Sequence, residues 1–209
     1  LITNLAKIAK YSERKALSGI FLQQECETYL KKYIENNISE NKKEILNIIR
    51  NAMEYANMIV YEKSKENENL AGMGTTMEVC LILDDRLYIG HIGDSRVYRI
   101  RRGVMQKLTA DHSYVQELVK EGTITPKEAE HHPKKNMLMK ALGCTPFAEP
   151  DVLERSIQPG DIIEMNTDGL TNMVTQEEIY NITTSKFEYA PSDMIEEANK
   201  KGGYDNITI

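Results

Sequence analysis

Between Met77 and Leu108 the sequence is laid out as short runs of β-formers and alternating apolar and polar residues. No other stretch limits more tightly what the chain can fold into. The runs are Met77–Leu83, Arg86–Ile92, Arg96–Ile100 and Val104–Leu108, separated by Asp84-Asp85, Gly93-Asp94-Ser95 and Arg102-Gly103. Turns this short join neighbouring antiparallel strands, so the spacing predicts an antiparallel meander.

The segments on either side follow helical spacing. Ile20, Phe21, Tyr29, Leu30, Tyr33 and Ile34 recur at three and four residues, and Asn36-Asn37-Ile38-Ser39 interrupts them, with Ser39 as the expected N-cap of a second helix. That helix carries Ile45, Ile48, Ile49, Ala52, Met53, Ala56, Ile59 and Val60 on one face. Each helix has a single apolar stripe, so the pair is expected to pack as a layer on another part of the fold.

Residues 112–143 turn helical and polar again, broken at Thr125-Pro126 and His132-Pro133. Thr125 and Glu128 have the spacing of a capping box, with Pro126 in the first turn. Strands are expected at Val152–Ile157 and Ile162–Met165, helices at Thr175–Tyr180 and Ser192–Lys201, and a last strand at Asp205–Ile209. Helices grouped in sequence with antiparallel strands give an α+β class in one domain spanning 1–209.

The chemistry is bounded by charge and cysteines. With 26 basic and 32 acidic residues the net charge is −6, and no dense Lys/Arg tract offers a footprint for nucleic acid or an anionic membrane. No run approaches the ~18 apolar residues of a membrane span, and no signal-peptide pattern opens the chain, so a cytoplasmic monomer is expected. Cys26, Cys80 and Cys144 are scattered and read as reduced thiols, Cys26 and Cys80 within core stretches. The His131-His132 pair reads as a helix end, and no zinc site is expected. No Cys sits in a C-x₅-R phosphate loop, which argues against a cysteine-phosphatase mechanism.

Three motifs set an Asp among Gly and small polar residues beside a strand: Gly93-Asp94-Ser95-Arg96, Thr167-Asp168-Gly169-Leu170-Thr171 and Gly203-Tyr204-Asp205-Asn206-Ile207-Thr208. Carboxylates gathered at strand ends suit hard ions such as Mg²⁺ or Mn²⁺, which in pairs activate a water and clamp a phosphoryl group. Taken singly, each Asp is an ordinary turn residue.

Together with Ala71-Gly72-Met73-Gly74-Thr75-Thr76, Leu108-Thr109-Ala110-Asp111-His112-Ser113 and Asn136–Gly143, these motifs resemble, in wording and order, the metal-dependent protein phosphatases of type 2C, particularly the bacterial members. The resemblance runs from about Glu66 to the C-terminus. It implies a four-layer α-β-β-α sandwich of antiparallel sheets flanked by helix pairs, here incomplete at the N-terminal strands. It implies hydrolysis of phosphoserine and phosphothreonine in proteins by a metal-activated water, with a phosphoprotein substrate and a serine/threonine kinase as partners. Asp168 and Asp205 become metal ligands with Gly169 beside them, and Asp94 helps hold a third, weaker ion next to two Mg²⁺ or Mn²⁺. Gly72, Gly74, Thr75 and Thr76 shape the strand entry, and residues 117–136 correspond to a mobile flap beside the active site.

The opening departs from the family pattern. Laid on it, Ala9 stands in place of a phosphate-binding Arg, Arg14 in place of an acidic residue, and Glu13 is retained. The Asp-Gly-x-Gly-Gly turn that bridges the two ions is absent, and there is no room for it between Ser18-Gly19 and Ile20. Both a segment missing from this chain and a true loss explain the gap. Taken literally, the chain is expected to hydrolyse p-nitrophenyl phosphate near background. The alternative is a pseudophosphatase, a module that binds phosphoproteins or regulates a kinase.

Overall fold

The computed structural model describes residues 4–8, 28, 41–66 and 68–209. In chain order its elements are β1 (Asn4–Ile8), α1 (Lys42–Lys65), β2 (Met77–Leu83), β3 (Arg86–Ile92), β4 (Arg96–Arg101), β5 (Val104–Lys107), α2 (Tyr114–Lys120) and α3 (Pro126–Glu130). They continue with β6 (Asp151–Ser156), β7 (Ile162–Asn166), α4 (Asp168–Thr171), α5 (Gln176–Ser185) and α6 (Ala190–Lys200). Apart from Thr28, the first expected helix, from Ile20 to Ile34, and the positions Ala9, Glu13, Arg14 and Cys26 lie outside the described residues.

All four expected strands of the 77–108 region are present, but they do not form one meander. The strands make two antiparallel sheets, ordered β1-β2-β3-β6 and β5-β4-β7. The β2–β3 hairpin belongs to the first sheet and the β4–β5 hairpin to the second, so the chain changes sheet at Gly93-Asp94-Ser95. Gly93 has φ 118°, a conformation open to glycine, and a Cβ there would lie 2.3 Å from Thr76 Cγ2. A turn that sharp sends the next strand into the other layer rather than back alongside its neighbour.

Alternation then sorts the side chains. On β2 and β3, Val79, Leu81, Tyr88 and Ile92 pack under α1, while Cys80, Leu87 and Ile89 meet Val97 and Met165 of the second sheet. Leu87 and Ile89 are fully buried there, each contributing about 1.5–3 kcal/mol by apolar burial. On the far side of the second sheet a third cluster joins Leu170, Val174, Ile179 and Met194 from the helices α4–α6 and the loop between them. The order is therefore α1, sheet, sheet, α4–α6, the four-layer arrangement of an α+β sandwich.

α1 begins at Lys42 rather than after Ser39, because the Asn41 side chain accepts the Lys43 N–H at 3.0 Å and caps it. Residues 112–143 are less helical than expected. α3 keeps the expected box, Thr125 and Glu128 each bonding the other's backbone N–H, with Pro126 at its start. His131 ends this helix, and residues 131–143 run as turns tied down by bridges from Ser113 to Leu138 and from Thr75 to Leu142. Buried Asn57 on α1 anchors the same segment, accepting the Gly143 N–H at 2.7 Å. The tail does not form the expected last strand. It bonds instead to Thr167, through Thr167 N–H to the Thr208 carbonyl at 3.1 Å. No helix of the described residues is long and apolar enough to cross a membrane.

Candidate active site

The sheet change that Gly93 forces brings Asp94 to the end of the sandwich, 9% exposed. Beneath it lies a buried polar chain. Thr76 and Ser95 share a hydroxyl–hydroxyl bond of 2.9 Å, Ser95 lies close to the Glu78 carboxyl, and Glu78 Oε1 lies 2.7 Å from His91 Nδ1. His91 Nε2 is 2.8 Å from the Ala110 carbonyl, which can only accept, so the ring proton sits on Nε2. Burial pushes the Glu78 carboxyl well above its ordinary value, and Asp94 and Asp111 add to this. Burial also holds the His91 imidazole below its own. Both shifts favour a neutral pair, with protonated Glu78 donating to Nδ1. His112 stacks beside His91 with ring centroids 4.6 Å apart, and its Nδ1 accepts the Gly93 N–H at 3.2 Å.

Two residues after Asp94, Arg96 forks onto Asp111, with Nη2 at 2.7 Å and Nε at 3.1 Å from Oδ2. Lys107 Nζ reaches the other oxygen of Asp111 at 3.1 Å. Burial opposes charge on Asp111, but Arg96 and Lys107 outweigh it and hold the carboxyl below its ordinary range. Asp111 is therefore an ionised partner of two cations.

The second acidic motif was expected as a turn at a strand end. It is one turn of helix, α4, starting where β7 stops. Asp168, 8% exposed, is on that turn, with the Asn172 amide donating to Oδ2 at 3.3 Å. Gly169 lies against the tail: a Cβ there would sit 2.2 Å from the Asn206 carbonyl oxygen. Thr167 fastens the two segments, its Oγ1 donating to the Asn206 carbonyl at 3.4 Å and accepting the Thr208 N–H at 3.1 Å. The third motif is thus joined to the second. Asp205 is on an exposed bend, its Oδ1 accepting the Asn206 N–H at 2.8 Å.

A cleft of about 710 Å³ is lined by Asp94, Arg96, Lys107, Asp111 and Asp168 together with residues of α2 and α3. From the stretch 117–136, Val119, Pro126, Ala129 and Lys135 are among its lining residues. Of the sequence-derived residues, Asp94 and Asp168 share the cleft, while Gly169 and Asp205 are not among its lining residues.

Sequence reasoning did not single out Glu78 and His91. They face one another across the β2–β3 register, and two polar residues opposed in otherwise apolar strands were the available signal.

Among the described residues no three His, Cys, Asp or Glu side chains converge as a metal cluster. Asp94 and Asp168 still give the cleft hard oxygen donors. One or two carboxylates with retained waters are how proteins usually hold Mg²⁺, so the donor set fits one such ion.

The sequence pattern of the family described as Protein phosphatase 2C matches residues 7–118. Protein phosphatase PhpP of Streptococcus pneumoniae serotype 2 is 43% identical over 146 residues, covering 69% of this chain and 59% of that protein. The chain thus matches less than two-thirds of the length of such streptococcal relatives. Serine/threonine phosphatase stp of Listeria innocua is 36% identical over 197 residues, covering 93% of this chain and 71% of that protein. Among solved structures, the serine/threonine phosphatase PstP/Ppp of Mycobacterium tuberculosis superposes with a TM-score of 0.84 at 31% identity, covering 97% of this chain and 85% of that one. The catalytic domain of PstP in complex with two manganese ions gives 0.78 at 28% identity, covering 97% and 83%.

Proposed function

The chain belongs to the protein phosphatase 2C family, and on that premise we propose that it removes phosphate from phosphoserine and phosphothreonine side chains of proteins. The observation that carries this reading is that Asp94 and Asp168, from different elements, line one cleft together with residues of the short helices α2 and α3. In this reading a divalent ion, Mg²⁺ or Mn²⁺, is held by Asp94 and Asp168. Asp205 serves as a further ligand from the neighbouring bend, which Gly169 allows to pack close to Asp168. When bound, such an ion supplies a water acidic enough to attack phosphorus and charge to balance the phosphoryl oxygens.

The chain's own groups do the rest. The buried Thr76–Ser95–Glu78–His91 chain fixes the Asp94 turn from beneath. Arg96 forks onto Asp111 and so keeps that carboxylate from competing as a ligand. The helices α2 and α3 partly cover the cleft and limit water around the phosphoryl group. A single domain spanning 1–209, with 117–136 as its flap, suits this arrangement. In the same reading the protein is a cytoplasmic monomer that reverses the work of a serine/threonine kinase; no helix of the described residues is long and apolar enough to cross a membrane.

One observation favours a second reading. The sequence has no Asp-Gly-x-Gly-Gly, and among the described residues no third acid converges on the cleft carboxylates. A pseudophosphatase that holds phosphoproteins without turnover matches that donor set.

The test is phosphate release from a phosphothreonine peptide with Mn²⁺, alongside the Asp168→Asn variant. Slow, Mn²⁺-dependent release that the variant loses supports the phosphatase. Phosphopeptide binding without any release supports the binding module and overturns the first reading.

A further inference from the structure

On the wall of the cleft that Asp94, Glu130 and Asp168 also line, two cations converge on the single carboxylate of Asp111. Asp111 alone would be balanced by the fork from Arg96, yet Lys107 is brought to it as well, leaving two cations to one anion. Both cations line the cleft, and their side chains are each 30% exposed. Burial holds Lys107 below its ordinary value despite Asp111, so the second charge is kept in a place that resists it. A clamp fastening β4 and β5 to the Asp111 loop needs only one cation.

Arg96 also has donors to spare. A guanidinium carries five N–H groups, of which two are directed at Asp111 and one, at 3.4 Å, at the Tyr98 hydroxyl, leaving two. Lys107 likewise has donors beyond the one that Asp111 takes. Lys135 lines the same cleft. Arg96 is two residues beyond Asp94 across the turn, so their Cα atoms lie within about 7 Å, the reach of two fully extended residues. An extended peptide crossing the cleft advances by that distance in about two residues.

We propose that Arg96 and Lys107 form an oxyanion subsite that reads an acidic group on the substrate, a carboxylate or a second phosphate, within about three residues of the phosphoresidue. The proposal rests on the phosphatase reading and names the substrate class of that cleft: segments that are acidic or multiply phosphorylated. The planar donors left on Arg96 suit an oxyanion, and the partly desolvated setting strengthens the attraction over that of a surface pair. The subsite acts on binding and takes no part in breaking the phosphate ester.

Three phosphothreonine peptides test it with the Mn²⁺-loaded protein: one flanked by alanines, one with Asp two residues from the phosphothreonine, and one with a second phosphothreonine there. Lys107→Gln removes a cation while leaving the Arg96–Asp111 fork, and Lys107→Arg keeps the charge. The wild type is expected to favour an acidic peptide over the neutral one about tenfold in kcat/KM, mostly through KM, as suits a charge-assisted hydrogen bond. Lys107→Gln is expected to reduce that ratio towards one, and Lys107→Arg to retain it. Preference for the Asp peptide identifies a carboxylate reader, and preference for the doubly phosphorylated peptide alone identifies a phosphate reader. Equal kcat/KM on all three peptides, or a preference that survives Lys107→Gln, overturns the subsite while leaving the phosphatase reading intact. Absence of turnover on every peptide fails that reading instead; the same peptides then compete for binding, and equal affinities overturn the subsite.

Discussion

The Asn206 carbonyl passes so close to Gly169 that a methyl group there would lie 2.2 Å from its oxygen. This approach, with the Thr167 bonds on either side, places the bend carrying Asp205 beside the turn carrying Asp168. Gly169→Ala is therefore expected to push the tail away, lowering stability by about 1–3 kcal/mol as overpacking does. Mn²⁺ affinity should fall with it. Urea unfolding and calorimetry on the variant check both; a variant unchanged in both would mean that the tail is not held by this contact.

The neutral Glu78–His91 pair makes a sharper distinction. A Gln at position 78 can donate to His91 Nδ1 as the protonated acid does, so Glu78→Gln is expected to stay within about 1 kcal/mol of wild type, whereas Glu78→Ala leaves a buried ring nitrogen unpartnered and loses about 1–3 kcal/mol. If urea midpoints show Gln to be as damaging as Ala, the pair is ionic rather than neutral.

Glu164 gives a pH dependence with a definite sign. Burial pushes its carboxyl up to about 7, against the Asn166 amide that donates to both oxygens. The folded chain then binds this proton more tightly than the unfolded chain, whose value is the ordinary 4.5. Stability from this group is fully present below pH 4.5 and is lost as the pH rises towards 7, a change on the order of 3 kcal/mol. Urea unfolding from pH 4.5 to 8 should show wild type losing more stability than Glu164→Gln. Equal losses in the two proteins would remove Glu164 from the account.

Residues 117–136 are expected to exchange amide protons faster than Met77–Ile92. α3 buries no residue and α2 only Val115, whereas β2 and β3 are covered on both faces. Hydrogen exchange read by mass spectrometry checks this, and equal protection would argue against a flap that moves.

Strand positions were legible because each hairpin obeys local turn chemistry, and the acidic motifs at Asp94 and Asp168 because each marks a strand end. The split of the meander into two sheets was not, since alternation gives a strand its faces but not its neighbour. The decisive fact was the contact of Gly93 with Thr76, 17 residues away in sequence. The Glu78–His91 pair was hidden for a similar reason, because its partners meet only through the register of β2 and β3. Asn41 displaced Ser39 as helix cap because both are good caps and local sequence ranks them nearly equally. The tail was read as a strand from its β-formers, but its bonds go to Thr167 rather than to a strand ladder.

The central claim is that Asp168, which lines the cleft with Asp94, holds a divalent ion. Calorimetric titration of Mn²⁺ into the wild type and Asp168→Asn tests it without relying on turnover. Wild type is expected to bind and the variant to bind more than about tenfold more weakly, since even an outer partner of a metal ligand is worth that much. Equal affinity in the two proteins would contradict the claim.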